Sequence, residues 1–499
     1  MSKFRRGGYV TSHMKPDITK GLICLILVCP TLKSYEIHGY GEAEITVFSG
    51  KREGYLNTAA GLIPQKYNEE FLQNRGFAGF YWKNRIEKLD LSVRDTFQFS
   101  LLDNPELLRR ISSWDNDLEV MGLLHFTGPA FVRGIVGHRA FEDKRFPEFS
   151  NQDLYASLAL ERQLDPNRRL SAGYARRELS FDLSKADDFT QQDVFINFLR
   201  FSTPRMYTLL KRSGPTSFGR ALMSRHFSEG DKQILMEDRF DGVTQLAMDT
   251  EGAYQEEIVT GQEEGGMAFE AEYRMRDTDL FNQIAHSYLE NQFHLRTRLY
   301  FDPYHAITLA NSYNIRNYQE QIIPDRIMDQ EKNITELNWY LGRQTVSLDQ
   351  TLRLEQVFFS NDKTRDYQIL NWEGNVNWEL LRGFNAGIFS SWQWRRYDTP
   401  REFYTDTDSK FASLFFSWKI RPKIEFSAVR DWEQQRVQAF ETIIDSSFDL
   451  DGSDYRVTWH QKHELRFHLG YRMEEERHQK FFTNDRNESL TYAGTKVAF

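Results

Sequence analysis

Cysteine is almost missing from this chain. There are two, Cys24 and Cys29, and both fall in one short apolar run near the N terminus. A chain that loses that run has no thiol at all. That excludes disulfides, thiolate metal sites, a cysteine nucleophile and haem attachment through Cys-x-x-Cys-His. No apolar stretch approaches the ~20 residues of a membrane-spanning helix. With 27% charged residues, a helical membrane protein is excluded. No basic stripe accompanies the net charge of −9, so no nucleic-acid partner is expected. His-Glu-x-x-His, Gly-x-Ser-x-Gly and Walker-type loops are lacking too, and the histidines are scattered. Neither an enzyme activity nor a cofactor nor a metal site is expected. Repeats of solenoid period and Pro- or Ser-rich linkers are absent, which leaves one domain behind the N-terminal segment.

Aromatic residues, by contrast, reach 14%, with 39 Phe and 23 Tyr. The N-terminal segment has a basic start (Lys3, Arg5, Arg6), an apolar core over 21–28 and a small residue, Ser34, before Tyr35. Residues 1–34 therefore read as a secretory signal peptide, with Met14 as an alternative start. Residues 35–499 form the mature domain.

That domain alternates. In 463–475, Leu465, Phe467, Leu469, Tyr471 and Met473 interleave with Arg466, His468, Gly470, Arg472 and Glu474. Period two is the strand period, with opposite faces for successive side chains. Strands of this kind are expected at 37–48, in a series from 77 to 226 that includes 117–127, 204–213 and 216–226, and again from 266 to 499. Residues 49–75 lose the pattern and read as a long loop, a short helix near 68–73 or part of a plug. Residues 227–265 are acidic and irregular. Tight turns such as Asp165-Pro166-Asn167, Asp302-Pro303 and Arg382-Gly383 alternate with longer polar loops at 318–329, 398–407 and 435–451. Many strands exceed the ordinary length of about 5–6 residues. Their polar faces carry Arg and Glu rather than Ser and Thr.

The last stretch runs Tyr492, Gly494, Val497, Phe499 at spacings two, three and two. It resembles the closing strand of bacterial outer-membrane β-barrel proteins, which end in polar-x-Gly-x-x-apolar-x-aromatic. The resemblance implies that these four residues are the signal read by the barrel-insertion machinery. It also implies outer-membrane lipid as surroundings, short periplasmic turns and longer extracellular loops. The expected fold is all-β, an antiparallel up-and-down transmembrane barrel of about 20 strands (18–22).

Such a barrel is too wide for its own side chains to fill. The charged face then lines a lumen, with Arg296, Arg298, Arg353, Glu355, Arg466 and Arg472 as candidates, together with Glu425 and Asp431. Cross-strand pairing that braces the wall is the plainer reading of each. Trp372, Trp378, Trp392, Trp394 and Trp418 read as an interfacial girdle before a sugar path. Glu474, Glu475 and Glu476 read as a solvated loop base, and Asp445, Asp449, Asp451 and Asp454 as a hydrated acidic loop. The expected function is a porin-like channel for small solutes. The rivals are an exopolysaccharide export barrel, whose partner is an acidic polysaccharide, and a sheath around a periplasmic multihaem cytochrome.

Overall fold

A computed structural model describes residues 35–201 and 266–498, apart from short stretches in the connections between elements. The first ten strands are β1 (Tyr35–Thr58), β2 (Gly61–Ile86), β3 (Leu89–Asn104), β4 (Arg109–His125), β5 (Ala130–Asp143), β6 (Asn151–Asp165), β7 (Arg168–Phe181), β8 (Phe189–Phe201), β9 (Gly266–Leu280) and β10 (Tyr288–Asp302). The next ten are β11 (His305–Tyr318), β12 (Gln330–Arg343), β13 (Val346–Phe359), β14 (Tyr367–Leu381), β15 (Phe384–Tyr397), β16 (Thr407–Arg421), β17 (Ile424–Val437), β18 (Phe448–Lys462), β19 (Leu465–His478) and β20 (Arg486–Ala498). Each pairs antiparallel with its neighbours in sequence, and β20 pairs with β1, so the 20-stranded sheet closes on itself. From strand spacing and an ordinary barrel tilt, a ring of this size is on the order of 40 Å across its backbone.

Closure decides which face is which. One face of the sheet exposes large apolar residues: Leu158 is 59% exposed, Leu295 51% and Leu469 57%. The other buries charge: Glu161 is 0% exposed, Asp193 1% and Arg274 3%. A water-soluble domain does the reverse. The apolar face is the outside of the barrel and meets lipid, where every backbone group must be paired within the ladder. The polar face lines the inside. Trp372, Trp378, Trp392, Trp394 and Trp418 all share the outward face, the one a girdle requires.

The connections fall into two rims. At one rim, β10–β11, β12–β13, β14–β15, β16–β17 and β18–β19 join through only two residues. Glu87, in the equally short β2–β3 turn, and Gly383, between β14 and β15, take left-handed φ of 51° and 82°. Five strands add a bulge just before the turn, skipping Leu164, Phe301, Leu380, Ile420 and Gln461. The first four are 49%, 56%, 60% and 49% exposed, an apolar fringe at the barrel edge. The opposite rim carries the longer loops. Phe181, Leu280, Tyr318, Phe359, Tyr397, Val437 and His478 each end a strand there. Each donates its backbone N–H to the side chain of Asp188, Ser287, Asp329, Asp366, Asp406, Ser447 or Asp485, just ahead of the returning strand. These seven clasps close the bases of seven loops. β8 ends and β9 begins at the short-turn rim.

Two expectations change, and a third lies outside the described residues. Residues 49–75 are neither helix nor plug: they belong to the long β1–β2 hairpin, paired from Tyr35↔Asn84 to Thr58↔Gly61. Pairing of the two strands with each other overrode a weak alternation. β4 begins at Arg109, eight residues before the 117 expected from its apolar pattern, because Arg110 and Ile111 already pair with β3. The strands expected at 204–213 and 216–226 lie outside the described residues, and β8 pairs directly with β9.

Candidate functional site: the barrel lumen

Register brings the inward charges together. On β8 to β11, Arg276 lies 3.0 Å from Asp193 and 3.4 Å from Glu290, and Glu290 is 3.2 Å from Arg316. Arg274 lies 3.5 Å from Asp193 and 2.8 Å from Glu272. Asn197 donates to Glu270 at 2.7 Å. On β5 to β7, Glu161 sits between Arg133 at 2.6 Å and Arg169 at 3.1 Å, and Asp153 takes both prongs of Arg177. Asp115 takes Arg139 the same way across β4 and β5. A carboxylate this buried is tolerated only when paired and hydrogen-bonded. The wall is thus braced by two ionic clusters, one across β4 to β7 and one across β8 to β11. Sequence reasoning expected bracing pairs but did not find these residues, because most of the pairs depend on cross-strand register.

The expected lumen residues distribute around the ring. Arg353 and Glu355 on β13 form a pair at 2.8 Å, and Lys332 reaches Glu355 at 2.6 Å. Arg472 on β19 lies 2.7 Å from Glu474, which also holds Arg486. Glu474 is therefore an inward, paired wall residue and not a solvated loop base; inward position and two arginines overrode the reading from three adjacent carboxylates. Arg298 on β10 lies over the Tyr300 ring at 4.9 Å. Arg296 on β10 and Arg466 on β19 are both exposed and inward. In a 20-strand ring, β10 and β19 stand almost opposite one another. The six do not converge into one pocket. Asp431 and Glu425 also face inward, and Glu425 accepts from Ser417 and meets His460 at 3.1 Å. Asp449 and Asp451 face outward on Arg436 and Arg430; Asp454 faces inward; Asp445 lies outside the described residues. Among the described residues no group of three metal-ligating side chains forms.

Four inward aromatics lie flat across a glycine of the paired strand: Tyr155 on Gly137, Phe195 on Gly173, Phe415 on Gly387 and Tyr492 on Gly470. A Cβ on Gly470 would stand 2.2 Å from the Tyr492 ring. The glycine lets the ring hug the wall, a known device of curved sheets. Tyr492 then donates to Asp454 at 2.5 Å and accepts from Arg456 at 3.1 Å. Of the C-terminal motif, Tyr492 and Gly494 face inward, Val497 faces outward, and Phe499 lies outside the described residues.

No protein-family model matches the sequence, and no curated protein sequence does. Solved structures match the shape. The copper transporter OprC shares 7% identity at a TM-score of 0.52, over 93% of this chain and 80% of that one. The chain has the fold of bacterial outer-membrane barrels. A closed form of Fiu, a ferric-catecholate import receptor of E. coli, shares 8% identity at a TM-score of 0.50, over 93% of this chain and 82% of that one. Acinetobacter baumannii OccAB4 shares 10% identity at a TM-score of 0.39, over 92% and 98%. At such identities the likeness is one of fold.

Proposed function

We propose that this barrel, with residues 1–34 removed as a secretion signal, is a water-filled outer-membrane channel that passes small solutes down their gradients. The observation that carries the reading is the polar inward wall of a closed 20-stranded ring. An 8-stranded barrel is filled by its own side chains, whereas rings of 16–18 strands leave an aqueous path. Mixed-sign pairs such as Arg276–Asp193 and Arg353–Glu355 brace that path without giving it a strong charge preference. Tyr492, Gly494, Val497 and Phe499 serve insertion by the assembly machinery, and Arg296, Arg298, Arg353, Glu355, Arg466 and Arg472 line the route. Liposome swelling tests this: vesicles holding the protein should admit small neutral sugars at rates that fall with sugar size. Swelling equal to protein-free vesicles would contradict it.

A second reading has one observation in its favour. Arg296 and Arg466 face the lumen exposed and, among the described residues, without a carboxylate within salt-bridge distance. Opposed free cations suit an acidic polymer, as in exopolysaccharide export. Block of solute entry by a polyuronate, relieved in Arg296→Gln/Arg466→Gln, would favour it.

A further inference from the structure

One sector of the outward face differs from its neighbour. From β8 to β14, the half of each strand nearest the long-loop rim places no lysine or arginine outward. From β15 to β19, that same half places Arg396, Lys410, Arg436 and Arg477 outward, with Arg430 just below. The carboxylates Asp408, Asp449, Asp451 and Glu475 share the sector. Arg396 pairs with Asp408. Arg430 lies 2.5 Å from Asp451, Arg436 2.6 Å from Asp449 and Arg477 2.5 Å from Glu475. Lys410 is different: its Nζ stands 4.6 Å over the Trp392 ring, and no described carboxylate lies within salt-bridge distance.

Within this sector lies a cleft of about 630 Å³ on the outside of the barrel, lined there by Trp392, Lys410, Trp432, Asp449, Asp451 and Arg477. Directly below it the wall turns apolar. Leu414, Phe416, Tyr455, Val457, Leu469 and Tyr471 are all exposed outward. The cleft therefore stands at the upper edge of the lipid-facing belt, where headgroups meet acyl chains.

We propose that this cleft binds the headgroup of a phosphorylated glycolipid of the outer leaflet. The inference rests on the outer-membrane reading, with the long-loop rim outside. Lys410 and Arg477 suit a phosphate, which takes charge-assisted hydrogen bonds from ammonium and guanidinium groups. The Trp392 and Trp432 rings suit the apolar face of a sugar, and Asp449 and Asp451 accept from sugar hydroxyls. The apolar wall beneath accepts the acyl chains. An ordinary phospholipid supplies the phosphate but no sugar face, and it would leave the carboxylates opposite a phosphate of like charge.

The test uses the full protein folded in mild detergent, incubated with purified phosphorylated glycolipid and read by native mass spectrometry. The proposal predicts one retained glycolipid per barrel. Lys410→Glu/Arg477→Glu should lower retention at least about tenfold, as should removing the lipid's phosphates. Trp432→Ala should weaken retention without abolishing it. Gel mobility with and without boiling establishes that each variant is folded. Equal retention by the charge-reversed variant overturns the site, and so does equal retention of phosphatidylglycerol, which would mark unspecific anion attraction. Proteolytic nicking of a tag placed in the 398–406 loop on intact cells reports separately whether that rim faces outward. An inaccessible tag overturns the orientation, and with it the glycolipid assignment.

Discussion

Asp193 is 1% exposed and touches two arginines that are themselves buried, Arg274 and Arg276. Removing one partner of such a group leaves charge stranded in the wall. Asp193→Ala should therefore destabilise the folded barrel by roughly 3–5 kcal/mol, seen as a lower urea midpoint of unfolding. Replacing one member of an exposed pair, as in Arg477→Ala, should change stability by less than about 1 kcal/mol. Close approach sets the second residue-scale prediction. Gly470→Val forces the Tyr492 ring off the wall and should cost about 1–3 kcal/mol. Tyr492→Phe keeps the ring but loses the hydroxyl bonds to Asp454 and Arg456, at about 0.5–1.5 kcal/mol. The residue types of the lumen were legible in alternation, since Arg466 and Arg472 stand opposite Leu465 and Leu469 in phase. A partner two residues along the same strand, such as Glu474 for Arg472, lay within the pattern; a partner on the next strand, such as Asp193 for Arg276, did not, because register locates it and a shift of one residue moves it to the other face.

Hairpins are the unit at the next scale. Seven long-rim hairpins share the clasp in which a backbone N–H meets an Asp or Ser side chain before the return strand. The clasp fixes where each loop leaves the ladder. In Asp366→Ala the Phe359 amide loses its 2.8 Å acceptor. Its hydrogen exchange should quicken roughly tenfold, for a loss of about 1.5 kcal/mol, while mid-strand amides of β13 stay unchanged. The strands themselves were legible wherever one face is uniformly apolar, as in β16 and β19. They were illegible in β1 and β2, whose residues 49–75 mix polar and apolar types on both faces and are held by pairing with each other. The clasps were hidden for another reason. One Asp or Ser ahead of a strand is common in any loop, and only the strand end opposite gives it a role.

At the scale of the whole molecule, the two faces of one sheet meet two solvents. A charge placed on the lipid face should be costly, and the same charge inside should not. Leu158→Arg, at a position 59% exposed to lipid, should destabilise the barrel by about 2–4 kcal/mol. Arg296→Leu should leave stability nearly unchanged and alter only what passes. The central claim is that the ring encloses an open aqueous path, and single-channel recording of the refolded protein in a planar bilayer tests it most directly. The account predicts a stable open conductance, with a reversal potential in a salt gradient showing weak preference between cation and anion. A folded barrel that inserts and shows no conductance would contradict it.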